Sequence, residues 1–323
     1  MSETLHPVAI LVPCLNEEAA IEAVVRGFRA ALPGAPVYVY DNGSTDRTVE
    51  RARAAGAVVR TEPLRGKGNV VRRMFADVEA EVYVLVDGDD TYDAAAAPRL
   101  VAKLEDEQLD MVCAARVTDA VAAYRPGHRF GNALLTGLVA RIFGNRFRDI
   151  LSGYRVFSRR FVKSFPALSA GFEIETELTV HALELRMPVA EVDTAYRERP
   201  AGSASKLNTW RDGVRILRTI LALAREERPL LFFSVASALL TTLALALAAP
   251  LVPTYLETGL VPRMPTALLS TGLVILASLS LACGLVLDTV TRGRRELKRL
   301  QYLRWRAPER AAGHGARRGG AAA

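Results

Sequence analysis

Short apolar runs alternate with longer amphipathic segments along the first two thirds of the chain. Five runs rich in β-branched residues predict strands, at residues 8–12, 37–40, 58–60, 82–86 and 111–115. Four segments with apolar residues at helical spacing predict helices, at residues 17–32, 45–55, 68–78 and 95–105. Strands that alternate with helices indicate an α/β domain with a mainly parallel sheet, which we place at residues 1–208.

Two later stretches, 230–252 and 264–287, contain no charged residue. Each is long enough to cross about 30 Å of hydrocarbon as a helix. The alternative is a pair of buried core helices, although such helices usually carry some polar residues over this length. Because only residues 253–263 separate the two stretches, we expect a transmembrane hairpin.

The segment 209–229, just before the first apolar stretch, has the pattern of an amphipathic helix. Its apolar residues recur at helical spacing beside a stripe of arginines, and they are Trp210, Val214, Leu217, Leu221 and Ala224. This pattern is typical of a helix that lies in the membrane interface. An ordinary helix packed on the globular domain is the alternative.

The composition changes this picture through its charge. The 323 residues include 42 Lys or Arg and 35 Asp or Glu, a net charge of +7, which suggests nucleic-acid binding at first. However, the segment 289–323 holds ten Lys or Arg and two Glu, a net of +8, and leaves −1 for the rest. We therefore interpret it as a basic cytoplasmic tail that binds anionic lipids, with the α/β domain also cytoplasmic, and we expect no nucleic-acid partner.

Polar clusters follow three of the predicted strands. Asn16 and Glu17 follow the first strand, Asp41 follows the second, and Asp87 and Asp89 follow a later one. Because the carboxyl ends of parallel strands meet at one edge of a sheet, these side chains should lie close together. Grouped carboxylates repel one another unless a cation binds, and Mg²⁺ or Mn²⁺ takes oxygen ligands and bridges to phosphates. A helix-capping aspartate cluster is the alternative.

Four motifs in order, LVPCLNEE, VYVYDNGSTDRT, RGKGNVVR and VYVLVDGDDTYD, resemble the family 2 glycosyltransferases of the GT-A fold, which is Rossmann-like. The later motifs DILSGYR and RERPAGSASKLN are similar to those of the polyprenyl-phosphate glycosyltransferases, such as dolichyl-phosphate mannose and glucose synthases. The resemblance covers residues 7–210. It implies that a hexose passes with inversion from a nucleotide-sugar to an undecaprenyl-type polyprenyl phosphate, at the cytoplasmic face of the plasma membrane.

The resemblance also implies roles for individual residues. The donor would be bound by Pro13, Leu15, Asn16, Glu17, Tyr40, Asp41, Asn42, Lys67, Asp87, Gly88, Asp89 and Lys206. The acceptor phosphate would be bound by Arg116, Arg129, Arg155 and Ser205. The catalytic residues would be Asp87, Asp89, Asp149 and Arg199, and Mg²⁺ or Mn²⁺ would be held by Asp87, Asp89 and Thr91.

One departure from the family pattern affects the choice of donor. Asn42 stands where the family has the second Asp of its DDGS motif, which changes the hydrogen-bonding edge offered to a base. We favour a UDP-sugar such as UDP-glucose or UDP-GlcNAc. A GDP-mannose donor, a non-lipid acceptor and a homo-oligomer stay open.

Residues 301–305 spell QYLRW, which matches the QxxRW signature of processive polysaccharide synthases. In those enzymes the motif lies close to the catalytic domain and among many spans, whereas here it follows the second of two apolar stretches. We interpret Tyr302 and Trp305, which stand among arginines, as an interfacial anchor.

Overall fold

The structure, a computed structural model, describes residues 5–117, 136–137, 139–141, 144, 147–200 and 209–308, with the backbone only at 209–213, 215 and 216. The predicted site residues Arg129, Ser205 and Lys206 lie outside the described residues, as do residues 309–323 of the predicted tail. The chain divides into two compact units, Met1–Arg218 with Lys298–Ala323 and Thr219–Leu297.

The described part of the first unit is built on one sheet. Its strands are β1 His6–Cys14, β2 Val37–Asp41, β3 Val58–Thr61, β4 Ala80–Leu85, β5 Met111–Val117, β6 Arg155–Ser158 and β7 Val189–Ala195. They form a seven-stranded sheet in the order β3-β2-β1-β4-β6-β5-β7. Only β6 runs antiparallel to its neighbours β4 and β5. The predicted α/β fold with a mainly parallel sheet is confirmed.

Helices cover the sheet. They are α1 Ile21–Ala31, α2 Thr48–Ala54, α3 Lys67–Asp77, α4 Ala97–Asp106, α5 Arg159–Ser164 and α6 Ile174–Glu184. The first helix buries Ile21, Val24, Val25 and Phe28, which lie on one face at spacings of three and four. By contrast, α6 is buried at nine of its eleven residues, so it lacks the polar face that makes a helix visible in a sequence pattern.

Four further helices follow, α7 Thr209–Glu227, α8 Pro229–Ala248, α9 Leu251–Thr258 and α10 Met264–Leu303. The runs Pro229–Thr258 and Met264–Leu303 are long and apolar enough to cross a membrane. Within their most apolar windows, only 6% and 11% of the residues are buried in the protein. A pair of core helices would be mostly buried, so this observation favours the membrane interpretation of the two stretches.

A seam of small residues lies along α10. Its buried members recur every seven residues and are Ser270, Ala277, Gly284 and Thr291. On α8, the Phe233 carbonyl accepts a hydrogen bond from the Ser280 hydroxyl at 3.1 Å. A Cβ placed on Gly284 would lie 2.9 Å from the Cβ of Phe233. Small side chains therefore let the two apolar helices approach closely.

The second apolar helix is longer than predicted. It continues beyond residue 287 to Leu303, so that the whole helix has 40 residues and is about 60 Å long. Nine of the fifteen residues at 289–303 are Arg, Lys, Leu or Glu, which are good helix formers, and none of the fifteen is proline. The predicted tail therefore begins as helix.

Tyr302 and Trp305 contact the globular domain. The Tyr302 hydroxyl donates to Oδ2 of Asp110 at 2.7 Å, and the Arg160 guanidinium lies 4.8 Å from the Tyr302 ring centroid. The Arg159 guanidinium lies 4.7 Å from the ring centroid of Trp305. Both rings are thus packed on arginines of α5, and their interpretation as an interfacial anchor is wrong.

Part of the positive charge of the tail is neutralised within the protein. Lys298 pairs with Glu184 of α6 at 2.8 Å, and Glu184 has a side chain that is only 3% exposed. Arg292 pairs with Asp288 one turn earlier, also at 2.8 Å. These cations carry less charge toward a lipid surface than the sequence count implies.

We expect Tyr302→Phe to destabilise the first unit by about 1–2 kcal/mol, because it removes a hydrogen bond to a buried carboxylate. Tyr255→Phe is the matched control, since Tyr255 is 55% exposed. The measurement is the midpoint of denaturant unfolding of the full chain in detergent. Equal midpoints for the two variants would contradict the contact.

Candidate active site

The carboxyl ends of β1, β2 and β4 lie side by side. Cys14 of β1 is in register with Asp41 of β2, and Leu11 of β1 is in register with Leu85 of β4. The polar loops that follow these strands therefore leave the sheet at the same edge, which is where parallel α/β sheets bind ligands.

The loops after β1 and β2 are joined by hydrogen bonds. The Asn16 amide donates to the Ser44 hydroxyl at 2.8 Å, and the Thr45 amide donates to Oδ1 of Asn16, also at 2.8 Å. The Glu17 amide donates to the Thr48 hydroxyl at 2.8 Å. Asn16 and Glu17 thus join the loops after β1 and β2 into one rim at the sheet edge. Their contact with a nucleotide-sugar donor stays a prediction.

The Asn42 side chain is committed to the loop that precedes α3. Its Nδ2 donates to the carbonyls of Glu62 and Leu64, each at 2.8 Å, and its Oδ1 accepts from the Gly66 amide at 2.7 Å. A carboxylate could not donate to those two carbonyls. Asn42 therefore orders the loop, and the expectation that its side chain offers an edge to a base is corrected.

The last two residues of β2 also have local partners. The Tyr40 hydroxyl donates to Asp77 and accepts from Arg60, each at 3.2 Å, and the side chain is fully buried. Burial raises the pKa of Tyr40 well above its ordinary value, against the effect of Arg60. The Asp41 carboxylate accepts from the Gly43 amide at 3.0 Å. Tyr40 is thus a core residue, which corrects its predicted role in donor binding, whereas Asp41 shapes the turn at the rim.

Asp89 is buried and held on both oxygens. Its Oδ1 accepts from the Thr91 hydroxyl at 2.6 Å, and its Oδ2 pairs with Arg199 at 2.6 Å. Thr91 is 1% exposed, so we assign it the role of orienting Asp89 rather than of binding a metal directly. Arg199 lies at the site, as predicted from the sequence.

Asp87 shares Lys67 with a residue that the sequence analysis missed. The Lys67 ammonium pairs with Oδ1 of Asp87 and, at 2.5 Å, with Oε1 of Glu175 at the start of α6. Burial alone would lower the pKa of Lys67, but the charges of Asp87 and Glu175 outweigh burial and raise it. Burial also raises the pKa of Glu175, against the attraction of Lys67.

A signal for Glu175 was present in the sequence. The segment IETELTVHA, with which α6 begins, is typical of a buried helix, and Glu175 and Glu177 stand in it two residues apart. Buried carboxylates need cations or hydrogen-bond donors, so both should have had partners. Glu177 finds its partners in the backbone amides of Leu168 and Ser169.

Two close approaches at the site require glycine. A Cβ on Gly153, which lies between β5 and β6 in the chain, would stand 2.3 Å from Oδ2 of Asp87. A Cβ on Gly68 would stand 2.1 Å from the Ser169 carbonyl oxygen. Gly153 leaves room for the Asp87 carboxylate, and Gly68 lets the start of α3, which carries Lys67, dock on the loop before α6.

Arg116 and Asp149 form a buried bidentate pair. Nε and Nη2 of Arg116 each donate to an oxygen of Asp149 at 2.7 Å, and both side chains are less than a tenth exposed. The Arg116 guanidinium also lies 5.5 Å from the ring centroid of Tyr196. Asp149 thus fixes the orientation of the guanidinium, which is the group predicted to meet the acceptor phosphate.

Arg155 has a structural role. Its side chain is fully buried, and it donates to the carbonyls of Ile150 at 2.6 Å and Ser152 at 3.0 Å and to the Thr179 hydroxyl at 2.9 Å. These donors hold the segment before β6 against α6. The prediction that Arg155 binds the acceptor phosphate is wrong, because its guanidinium is buried and hydrogen-bonded to groups of the protein itself.

The carboxylate oxygens at this edge suit a hard divalent cation that takes most of its ligands from phosphate and water. Asp87 and Asp89 offer carboxylate oxygens, and Asp87 is the more exposed, with 29% of its side chain accessible. Among the described residues, no group of three His, Cys, Asp or Glu is arranged to hold a metal by itself. Mg²⁺ and similar ions are often bound in this way, by one or two carboxylates with phosphate oxygens and water.

Comparisons with known proteins show the family of this chain. The family model described as "Glycosyl transferase family 2" matches residues 9–165. Glycosyltransferase AglJ of Haloferax volcanii is 38% identical over 236 residues, which span 71% of this chain and 76% of that protein.

This protein belongs to glycosyl transferase family 2.

Two further likenesses bear on the chemistry. A dolichyl-phosphate hexose transferase of Haloferax volcanii is 29% identical over 225 residues, which span 70% of this family 2 chain and 97% of that protein. The crystal structure of glucosyl-3-phosphoglycerate synthase from Mycobacterium tuberculosis with Mn²⁺, UDP and glucosyl-3-phosphoglycerate is 26% identical, with a TM-score of 0.57. That likeness covers 67% of this chain and 79% of the synthase, and it supports the GT-A fold.

We expect Gly153→Ala to lower the rate of glycosyl transfer about 100-fold, because the new methyl group would displace the Asp87 carboxylate. Gly293→Ala is the control, since a Cβ there meets nothing within 4 Å. Turnover of the nucleotide-sugar and the unfolding midpoint are measured together. A Gly153→Ala enzyme as active as the control would refute the steric requirement.

Proposed function

We propose that this glycosyltransferase moves a hexose from a UDP-sugar to polyprenyl phosphate at the cytoplasmic face of the plasma membrane, with Mg²⁺ or Mn²⁺ and with inversion. The observation that carries the proposal is the presence, in one family 2 chain, of the Asp87 and Asp89 edge and of two helices able to cross a membrane. A water-soluble acceptor would not require such helices.

The donor side of the proposal is supported by the charges at the sheet edge. Asp87 and Asp89 would hold the metal, and the metal would stabilise negative charge on the departing diphosphate. Lys67 and Arg199, already at the two carboxylates, would contact the same diphosphate. Pro13, Leu15, Glu17, Asp41 and Gly88 would bind the nucleoside, as the family resemblance implies. The related synthase binds UDP and Mn²⁺.

The acceptor side is supported by the pair of Arg116 and Asp149 and by the relatives. A guanidinium held by a carboxylate keeps a fixed orientation, which suits recognition of a phosphate. Asp149 is then a positioning residue for Arg116. The dolichyl-phosphate hexose transferase matches over nearly its whole length, which favours a lipid phosphate as the acceptor.

The helix α7 supports a location at a membrane surface. Its apolar residues Val214, Leu217 and Leu221 are each at least 40% exposed in the protein. Exposed leucines and valines at helical spacing are stabilised when they enter the headgroup region. The catalytic domain would then lie beside the lipid phosphate it modifies.

The proposed reaction needs no strong general base. The acceptor phosphate is already an oxyanion near neutral pH, so its oxygen attacks the anomeric carbon without first losing a proton. The bond between that carbon and the diphosphate breaks as the new bond forms on the opposite face, and the nucleoside diphosphate leaves. Arg116, Lys67 and Arg199 offset the repulsion among the phosphates.

A phosphorylated soluble acceptor is the second candidate. The related synthase carries glucosyl-3-phosphoglycerate in its crystal structure, so its acceptor is also a phosphate-bearing molecule. The same arginine pair could bind either phosphate. The two candidates differ in whether transfer depends on lipid.

The test uses the purified full chain in detergent with Mn²⁺ and either polyprenyl phosphate or 3-phosphoglycerate. UDP-glucose, UDP-GlcNAc and GDP-mannose are supplied in turn, and the products are identified by mass spectrometry. We expect a hexosyl polyprenyl phosphate with a UDP-sugar, and an at least about 100-fold lower rate with Asp89→Asn. Asp106→Asn, which changes an exposed residue at the end of α4, should retain full activity.

Product from 3-phosphoglycerate alone would replace the lipid acceptor with the soluble one. No transfer from any of the donors, or equal rates for Asp89→Asn and wild type, would refute the proposed function.

A further inference from the structure

Lys67 is unusually well buried for a lysine. It is the first residue of α3, and the next amide, that of Gly68, donates to the Ala170 carbonyl at 3.0 Å. Its side chain is only 8% exposed. An ammonium group in such a place is stable only where carboxylates surround it.

The two carboxylates that hold Lys67 differ in what else they can do. Glu175 is 5% exposed, and its Oε2 is a buried atom without a hydrogen-bond partner among the described residues. Asp87 is open enough to meet a ligand and is one of the two proposed metal-binding residues. Glu175 therefore acts inside the protein, whereas Asp87 contacts Lys67 and is also partly open to solvent.

Asp89, the other proposed metal-binding residue, is also paired with a cation of the chain. Asp89 pairs with Arg199 at 2.6 Å. Three carboxylates, those of Asp87, Asp89 and Glu175, thus face two cations, which leaves the cluster with one net negative charge. In this structure the chain itself supplies the cations that the carboxylates require.

A metal ion and the Lys67 ammonium cannot both contact Oδ1 of Asp87 from the same side, because two positive charges so close together repel each other. We infer that Lys67 is a resident counter-cation that competes with the metal for Asp87, and that Glu175 is the positioning residue that holds Lys67 when Asp87 turns to the metal. On donor binding, Lys67 keeps Glu175 and exchanges Asp87 for the diphosphate. This inference rests on the proposed function for the identity of the donor.

The inference predicts opposite effects for two substitutions. Lys67→Met removes the competitor, so Mn²⁺ alone should bind about tenfold more tightly, while the KM for the nucleotide-sugar rises. Glu175→Gln leaves the ammonium to Asp87 alone, so Mn²⁺ should bind about three- to tenfold more weakly. If Glu175 acted only through its own charge, the change in Mn²⁺ affinity caused by Glu175→Gln would be the same with and without Lys67.

The double variant Lys67→Met/Glu175→Gln separates these cases. With no ammonium to hold, the Glu175→Gln substitution should change Mn²⁺ affinity less than twofold. The same threefold or larger loss in both backgrounds would overturn the positioning role. Lys67→Gln, which keeps hydrogen-bonding capacity without charge, repeats the comparison in case Lys67→Met does not fold.

The experiment is a titration of the purified full chain with Mn²⁺ and no nucleotide, with free Mn²⁺ measured by electron paramagnetic resonance. The control is Lys103→Met/Glu107→Gln, which removes a surface pair in the region of α4 joined at 2.6 Å and should leave Mn²⁺ binding unchanged. Mn²⁺ affinity that is equal or weaker in both Lys67→Met and Lys67→Gln would overturn the inference. Because this measurement needs neither donor nor acceptor, it fails independently of the transfer assay.

Discussion

The structure of the site depends on the repulsion among carboxylates at one edge of the sheet. The parallel register of β1, β2 and β4 delivers the polar loops to this edge, and Asp87 and Asp89 stand there together. Such a group of charges is stable only with cations nearby. Lys67 and Arg199 supply them in this structure, and we propose that a metal and a nucleotide diphosphate exchange with them during the reaction.

Much of the surrounding structure places those cations. Asn42 orders the loop before α3, and Gly68 lets the start of that helix dock on the Ala170 carbonyl, so that Lys67 points at Asp87. Gly153 leaves space for the carboxylate itself. Residues that touch no substrate are thus needed for the geometry of the site, which links the packing of the loops to the proposed chemistry.

The sequence predicted features that depend on local pattern. Strands and amphipathic helices have apolar residues at short, regular spacing, and the two apolar stretches are continuous. The Asp87 and Asp89 pair stands directly after a strand. Two of the misassigned residues, Arg155 and Tyr302, each have a partner far along the chain. Arg155 binds Thr179, Tyr302 binds Asp110, and pairing of this kind leaves no trace in spacing. Glu175 was missed because α6 is buried on nearly every side, so no amphipathic pattern drew attention to it.

The exchange of cations at Asp87 is tested most directly by a crystal structure of the full chain with Mn²⁺ and UDP. We expect Mn²⁺ on the carboxylates of Asp87 and Asp89, with Lys67 Nζ still on Glu175 and turned from Asp87 to the diphosphate. Lys67 that remains on Asp87 while the metal is bound, or a metal held away from both aspartates, would contradict it.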